Sequence, residues 1–71
     1  MKVGARNKLF AEVIDIKRGA VMCQVKVKLK ASDELQMSSV MTLDSLDDMN
    51  LKVGDEVEVV VKAVNVLLLK S

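Results

Sequence analysis

The 71-residue chain has no histidine, proline, tryptophan or tyrosine, and only one cysteine and one phenylalanine. Each absence closes a route. Without histidine there is no side chain poised as a general base near neutrality and no imidazole for a metal. A single cysteine forms no intrachain disulfide, no zinc cluster and no redox pair. The lone aromatic, Phe10, removes the stacking platform that single-strand nucleic-acid binders use. No stretch approaches the roughly 18 consecutive apolar residues of a membrane-spanning helix, and the N-terminus lacks the basic-then-apolar layout of a secretory signal. Net charge is only +1, so no strong field of one sign draws in a polyanion, which argues against nucleic acid as a partner.

What remains is a short chain, 51% hydrophobic and 30% charged. That is too apolar for a disordered tail. At this length, apolar burial set against about 1.5 kcal/mol of ordering entropy per residue comes out near zero. With disulfides and metals excluded, self-association is the remaining source of stability. Free Cys23 and the lack of targeting elements point to a reducing compartment, so a cytoplasmic location is expected.

Periodicity gives the elements. Val21, Cys23, Val25, Val27 and Leu29 alternate with Gln24, Lys26, Lys28 and Lys30, the pattern of a half-buried strand. Leu9 to Lys17 is also strand-like and is joined to it through Lys17-Arg18-Gly19. Its alternation breaks around Ile14-Asp15-Ile16, which calls for a bulge or a strand buried on both faces. Leu35 to Thr42 alternates again, with Leu35, Met37 and Met41 on one side. The period then changes: Leu43, Leu46 and Met49 fall three apart, with acidic residues early, as at a helix N-terminus. Thr42 or Asp44 caps this helix and Asn50 ends it. Gly54 marks a turn, Glu56 to Lys62 returns to period two, and Val64 to Leu69 is apolar on both faces, as in a strand buried between a core and a partner chain. The expected fold is all-β: one domain over residues 1–71, a small OB-like five-stranded Greek-key barrel with a short helix between strands 3 and 4.

Chemistry-bearing constellations are few. Adjacent Asp47 and Asp48 do not face each other on a helix and read as a solvated face. Cys23 and the methionines Met22, Met37, Met41 and Met49 read as packing residues; the alternative, a soft-metal site, suits their scatter less well. Thr42 to Ser45 is more suggestive, because two hydroxyls and free backbone N–H groups meet where a strand enters a helix, a natural anion site. The plainer alternative is that both residues only cap the helix, and the Asp44 carboxylate must point away for an anion to bind. Arg6 and Lys62 are ordinary surface cations unless an anion joins them.

Five segments, in order, carry a resemblance: Gly4-Ala5-Arg6-Asn7-Lys8-Leu9, Gly19-Ala20-Val21, Val40-Met41-Thr42-Leu43-Asp44-Ser45, Leu51-Lys52-Val53-Gly54-Asp55-Glu56-Val57 and Val61-Lys62-Ala63. Together they are similar to the molbindins, the small Mop-family proteins whose fold also occurs as TOBE domains. The family's usual opening is Ser-Ala-Arg-Asn, so Gly4 departs from it. The resemblance implies an oxyanion held between subunits, with the opening motif from one chain and the Thr-x-x-Ser segment and strand-end Lys-Ala completing the site. It assigns that role to Gly4, Ala5, Arg6, Thr42, Ser45, Lys62 and Ala63, with Asn7 as a helper that fixes the turn through its own backbone. Backbone N–H groups at Gly4 or Ala5 stand in for the missing serine hydroxyl.

The implied ligand is molybdate or tungstate, with no organic cofactor and no enzymatic activity. Such a tetrahedral dianion offers only acceptors, so its lining must be donors and cations. Two unit charges about 4 Å apart interact by about 4 kcal/mol at an effective dielectric of about 20, so Arg6 and Lys62 dominate. Sulfate shares the shape and charge but is smaller, which leaves discrimination to cavity size. The resemblance further implies a homo-oligomer, a hexamer built as a trimer of dimers, free-standing and serving intracellular molybdenum storage or homeostasis, without nucleic acid or membrane as partner. Two other readings compete: an oligomerising interaction module without anion binding, for which Gly4 speaks, and a nucleic-acid-binding barrel, for which only the Lys26, Lys28 and Lys30 stripe speaks.

Overall fold

β-Branched residues on alternate positions build the centre of the sheet. The structure, a computed structural model, describes residues 6–70, the side chain of Arg6 apart. Along the chain lie β1 (Arg6–Arg18), β2 (Met22–Leu29), β3 (Gln36–Thr42), α1 (Leu43–Met49) and β4 (Glu56–Lys62), followed by a 3-10 turn at Ala63–Asn65. The strands form one antiparallel sheet in the order β3-β2-β1-β4. This is an all-β, OB-like fold of four strands and one short helix.

β1 is long enough to serve two neighbours. Its first half pairs with β4, from Arg6 opposite Lys62 to Glu12 opposite Glu56. Its second half pairs with β2, from Ala11 opposite Leu29 to Arg18 opposite Cys23. The register shifts between Val13 and Asp15, so the irregularity at Ile14 is a bulge. Bulges bend a strand and increase its twist; here Val13 donates its N–H to the Asp55 carbonyl at 2.9 Å and accepts from Gly54 N–H at 2.8 Å. Gly54 has φ +96°, which an L side chain rarely adopts. The β1–β2 connection is residues 19–21, so Lys17 and Arg18 belong to the strand and Val21, expected on the inner face, is exposed in the turn. Leu35 likewise lies before β3 and is exposed.

The buried core consists of Ala11, Val13, Cys23, Val25, Val27, Leu29 and Leu46. Met37, Met41, Leu43, Leu51, Val57 and Val59 pack around it half-buried. Thr42 caps α1 and Asn50, at φ 51° and ψ 45°, ends it. Only Leu46 of that helix is buried, so α1 serves as a lid over one end of the sheet.

The expected fifth strand over 64–69 is not a strand here. Residues 63–65 form the 3-10 turn and 66–70 have no regular structure, with Leu67, Leu68 and Leu69 at 88%, 90% and 97% exposure. A tight hairpin needs positive φ at its centre, usually from Gly or Asn-Gly. Ala63-Val64-Asn65 offers no glycine, and the chain leaves β4 without reversing against it. β3 and β4 therefore face each other unpaired across a cavity of about 250 Å³, lined by residues of all four strands and by Met49 and Leu51. No helix among the described residues is long and apolar enough to cross a membrane.

Candidate anion-binding site

The candidate residues fall into two groups. The first stands at the end of the β1–β4 ladder, where Arg6 is the partner of Lys62 and Asn7 of Val61. Ala63 follows as the first residue of the 3-10 turn. Gly4 and Ala5 lie outside the described residues, and for Arg6 only the backbone pairing is described. Asn7 lies within β1 rather than in a turn, and its side chain makes no hydrogen bond among the described residues.

The second group sits where β3 enters α1. Thr42 Oγ1 accepts from Ser45 N–H at 3.1 Å and donates to Ser45 Oγ at 3.0 Å. Leu43 N–H bonds to the Val21 carbonyl at 2.9 Å, tying this corner to the β1–β2 turn. Within one chain the two hydroxyls do the capping work, and Asp44 in the first turn already complements the helix dipole. Thr42→Ala is expected to lower the unfolding free energy by about 1 kcal/mol in urea titration, and Thr42→Asn to restore most of it.

Ladder electrostatics single out the first group. Like charges directly opposite in a sheet are destabilising, and β1 and β4 contain two such pairs, Glu12 opposite Glu56 and Arg6 opposite Lys62. The acidic pair is compensated: Lys30 Nζ bonds to Glu56 Oε1. That hydrogen bond holds Glu56 below the usual carboxylate range and Lys30 above the usual lysine value. For Lys62 no such partner exists among the described residues. The ion pairs among the described residues are Lys8–Glu58, Arg18–Asp47, Lys28–Asp33 and Lys30–Glu56; none includes Lys62.

A profile of the TOBE domain matches residues 4–68. Molybdenum-pterin-binding protein 3 of Clostridium pasteurianum is 33% identical over 69 residues, covering 97% of this chain and 98% of that protein. The probable molybdenum-pterin-binding protein of Haemophilus influenzae is 34% identical over 68 residues, 96% of each chain. The chain belongs to the molbindin/TOBE family. Its fold agrees with the solved structure of a molybdate-binding protein from Sporomusa ovata, with TM-score 0.85 and 37% identity over 99% of this chain and 100% of that one. The relatives' names describe binding proteins.

In this molbindin the two groups lie far apart along the sheet. Thr42 is the ladder partner of Met22, beside the Cys23–Arg18 pair, whereas Lys62 is opposite Arg6. The 13 residues of β1 from Arg6 to Arg18 measure about 40 Å along their contour at about 3.3 Å per residue. Among the described residues no hydrogen bond or ion pair joins Lys62 or Ala63 to Thr42 or Ser45. The lysine stripe is also neutralised by its neighbours: Lys26 is opposite Asp15, Lys28 opposite Glu12, and Lys30 bonds Glu56. Sequence reading overlooked the turn at Ala63–Asn65; its signal was the loss of alternation directly after Lys62.

Proposed function

We propose that this protein binds molybdate, with tungstate as an equivalent ligand, at sites shared between subunits. The observation that carries the reading is the ladder register that sets Arg6 opposite Lys62, with Lys62 in no ion pair among the described residues. Two cations held face to face by the backbone lose stability until something negative joins them, and a tetrahedral dianion with acceptor-only oxygens fits that need. The names of the relatives supply the ligand. Arg6, Lys62 and Ala63, with Gly4, Ala5 and Asn7, form one wall. Thr42 and Ser45, at the opposite end of the sheet, reach an anion through a neighbouring copy, where their hydroxyls trade mutual contacts for contacts to the ligand.

The same reading supplies the missing strand. β3 and β4 run in opposite directions, so a strand inserted between them is antiparallel to one and parallel to the other. Residues 64–69 of a second copy have the composition for that place, and their entry closes a five-stranded Greek-key barrel. Full burial of one leucine is worth roughly 1.5–3 kcal/mol, so the one or two of Leu67, Leu68 and Leu69 that face inward contribute roughly 2–6 kcal/mol per chain. Hexamers arranged as trimers of dimers, acting in cytoplasmic molybdenum storage, complete the proposal; neither nucleic acid nor membrane has a part in it.

Titration of the purified assembly with molybdate in excess sulfate, followed by calorimetry, tests it. Saturable heat at micromolar molybdate is expected. An intact oligomer that takes up no molybdate selects instead the interaction module without an anion, the reading that Gly4 in place of the family's serine favours.

A further inference from the structure

We infer that the Ala63–Asn65 turn is a hinge through which anion occupancy controls how firmly subunits exchange their C-terminal segments. The inference rests on the anion site proposed above and adds a regulatory consequence to it. Lys62 is the last residue of β4 and Ala63 the first of the turn, so the anion contacts and the hinge are the same stretch of backbone. Everything beyond, residues 64–70, is exposed. The direction in which Val66 to Leu69 leave the sheet is therefore set at residues 62–65.

That stretch is held by little. Its hydrogen bond runs from Val66 N–H to the Ala63 carbonyl at 3.2 Å; Lys62 provides no side-chain cap, and no residue of the turn is buried. Segments with few buried contacts and exposed backbone bonds sit at the low end of local stability. An acceptor-only dianion gripping the Lys62 ammonium and nearby N–H groups narrows the directions open to the turn. A segment already aimed at the neighbouring gap loses less entropy on docking there. Linkage makes the effect mutual: whatever factor the anion adds to segment docking, docking adds to anion affinity. The empty assembly then trades subunits readily, and the loaded one is locked.

The test follows subunit exchange between light- and heavy-isotope assemblies by native mass spectrometry, with and without saturating molybdate, occupancy being fixed in parallel by calorimetry. Exchange at least tenfold slower in molybdate is expected. Asn65→Gly, which loosens the turn without touching the proposed anion residues, is expected to speed exchange of the empty assembly. It should also weaken molybdate binding about fivefold, in keeping with the backbone entropy of one glycine, and Asn65→Ser should return both values towards the parent's. Normal binding heat with unchanged exchange overturns the hinge and leaves the anion site standing. So does full affinity in Asn65→Gly. No binding heat in the parent protein overturns both.

Discussion

Leu67→Asp combined with Leu68→Asp is expected to give a monomer at micromolar concentration in size-exclusion chromatography with light scattering, and to abolish molybdate binding with it. Adjacent residues of an extended segment point to opposite faces, so one aspartate enters the barrel whichever face is inward. The one leucine that faces the barrel represents roughly 1.5–3 kcal/mol of apolar transfer, and an unpaired carboxylate in its place adds a desolvation cost. The exposures of 88% and 90% mean that neither side chain contributes packing within its own chain. A simple loss of folding is thus separable from a loss of association. The double variant should keep the antiparallel sheet signature in circular dichroism at low temperature, while its thermal midpoint falls and ceases to depend on concentration. A double variant that remains an oligomer of parental mass would show that the gap between β3 and β4 is closed by something else.

Why the C-terminal segment forms no strand among the described residues, while most of the fold was legible in the sequence, comes down to where each signal resides. β2 is readable because its burial is decided locally: Cys23, Val25, Val27 and Leu29 all belong to the buried core of the described residues. The helix is readable because Thr42 and Asn50 carry their capping chemistry in their own side chains. The bulge at Ile14 could be placed because a broken alternation has only two physical causes. Val64 to Leu69, in contrast, has strand composition but pairs with no edge among the described residues, and edge pairing is a property of topology that composition does not encode. The candidate site divides in the same way. Residue types suited to an oxyanion were visible at Arg6, Thr42, Ser45, Lys62 and Ala63. The like-charge pairing of Arg6 with Lys62 required the β1–β4 register, and so did the separation of the two groups along β1.

Lys62→Ala is expected to move stability and affinity in opposite directions. If Lys62 were a structural lysine, its removal would leave the fold unchanged or weaken it and leave anion binding alone. If it is held opposite Arg6 for an anion, its removal relieves a like-charge cross-strand pair, a change of order 0.2–1 kcal/mol in favour of the empty fold. The loaded state meanwhile loses a charge-assisted hydrogen bond of about 1.5–3 kcal/mol, which is a loss of affinity of at least about tenfold. Thermal unfolding without ligand and calorimetric titration with molybdate read the two quantities independently, and Arg6→Ala should show the same opposed signs. Lys8→Ala is the matched control: Lys8 lies on the same strand but is paired with Glu58 at 3.8 Å, so its loss breaks an exposed ion pair of small worth and leaves molybdate affinity within about twofold. Equal affinities for the parent and Lys62→Ala would remove Lys62 from the site, and with it the argument that the Arg6–Lys62 ladder pair exists to receive an oxyanion.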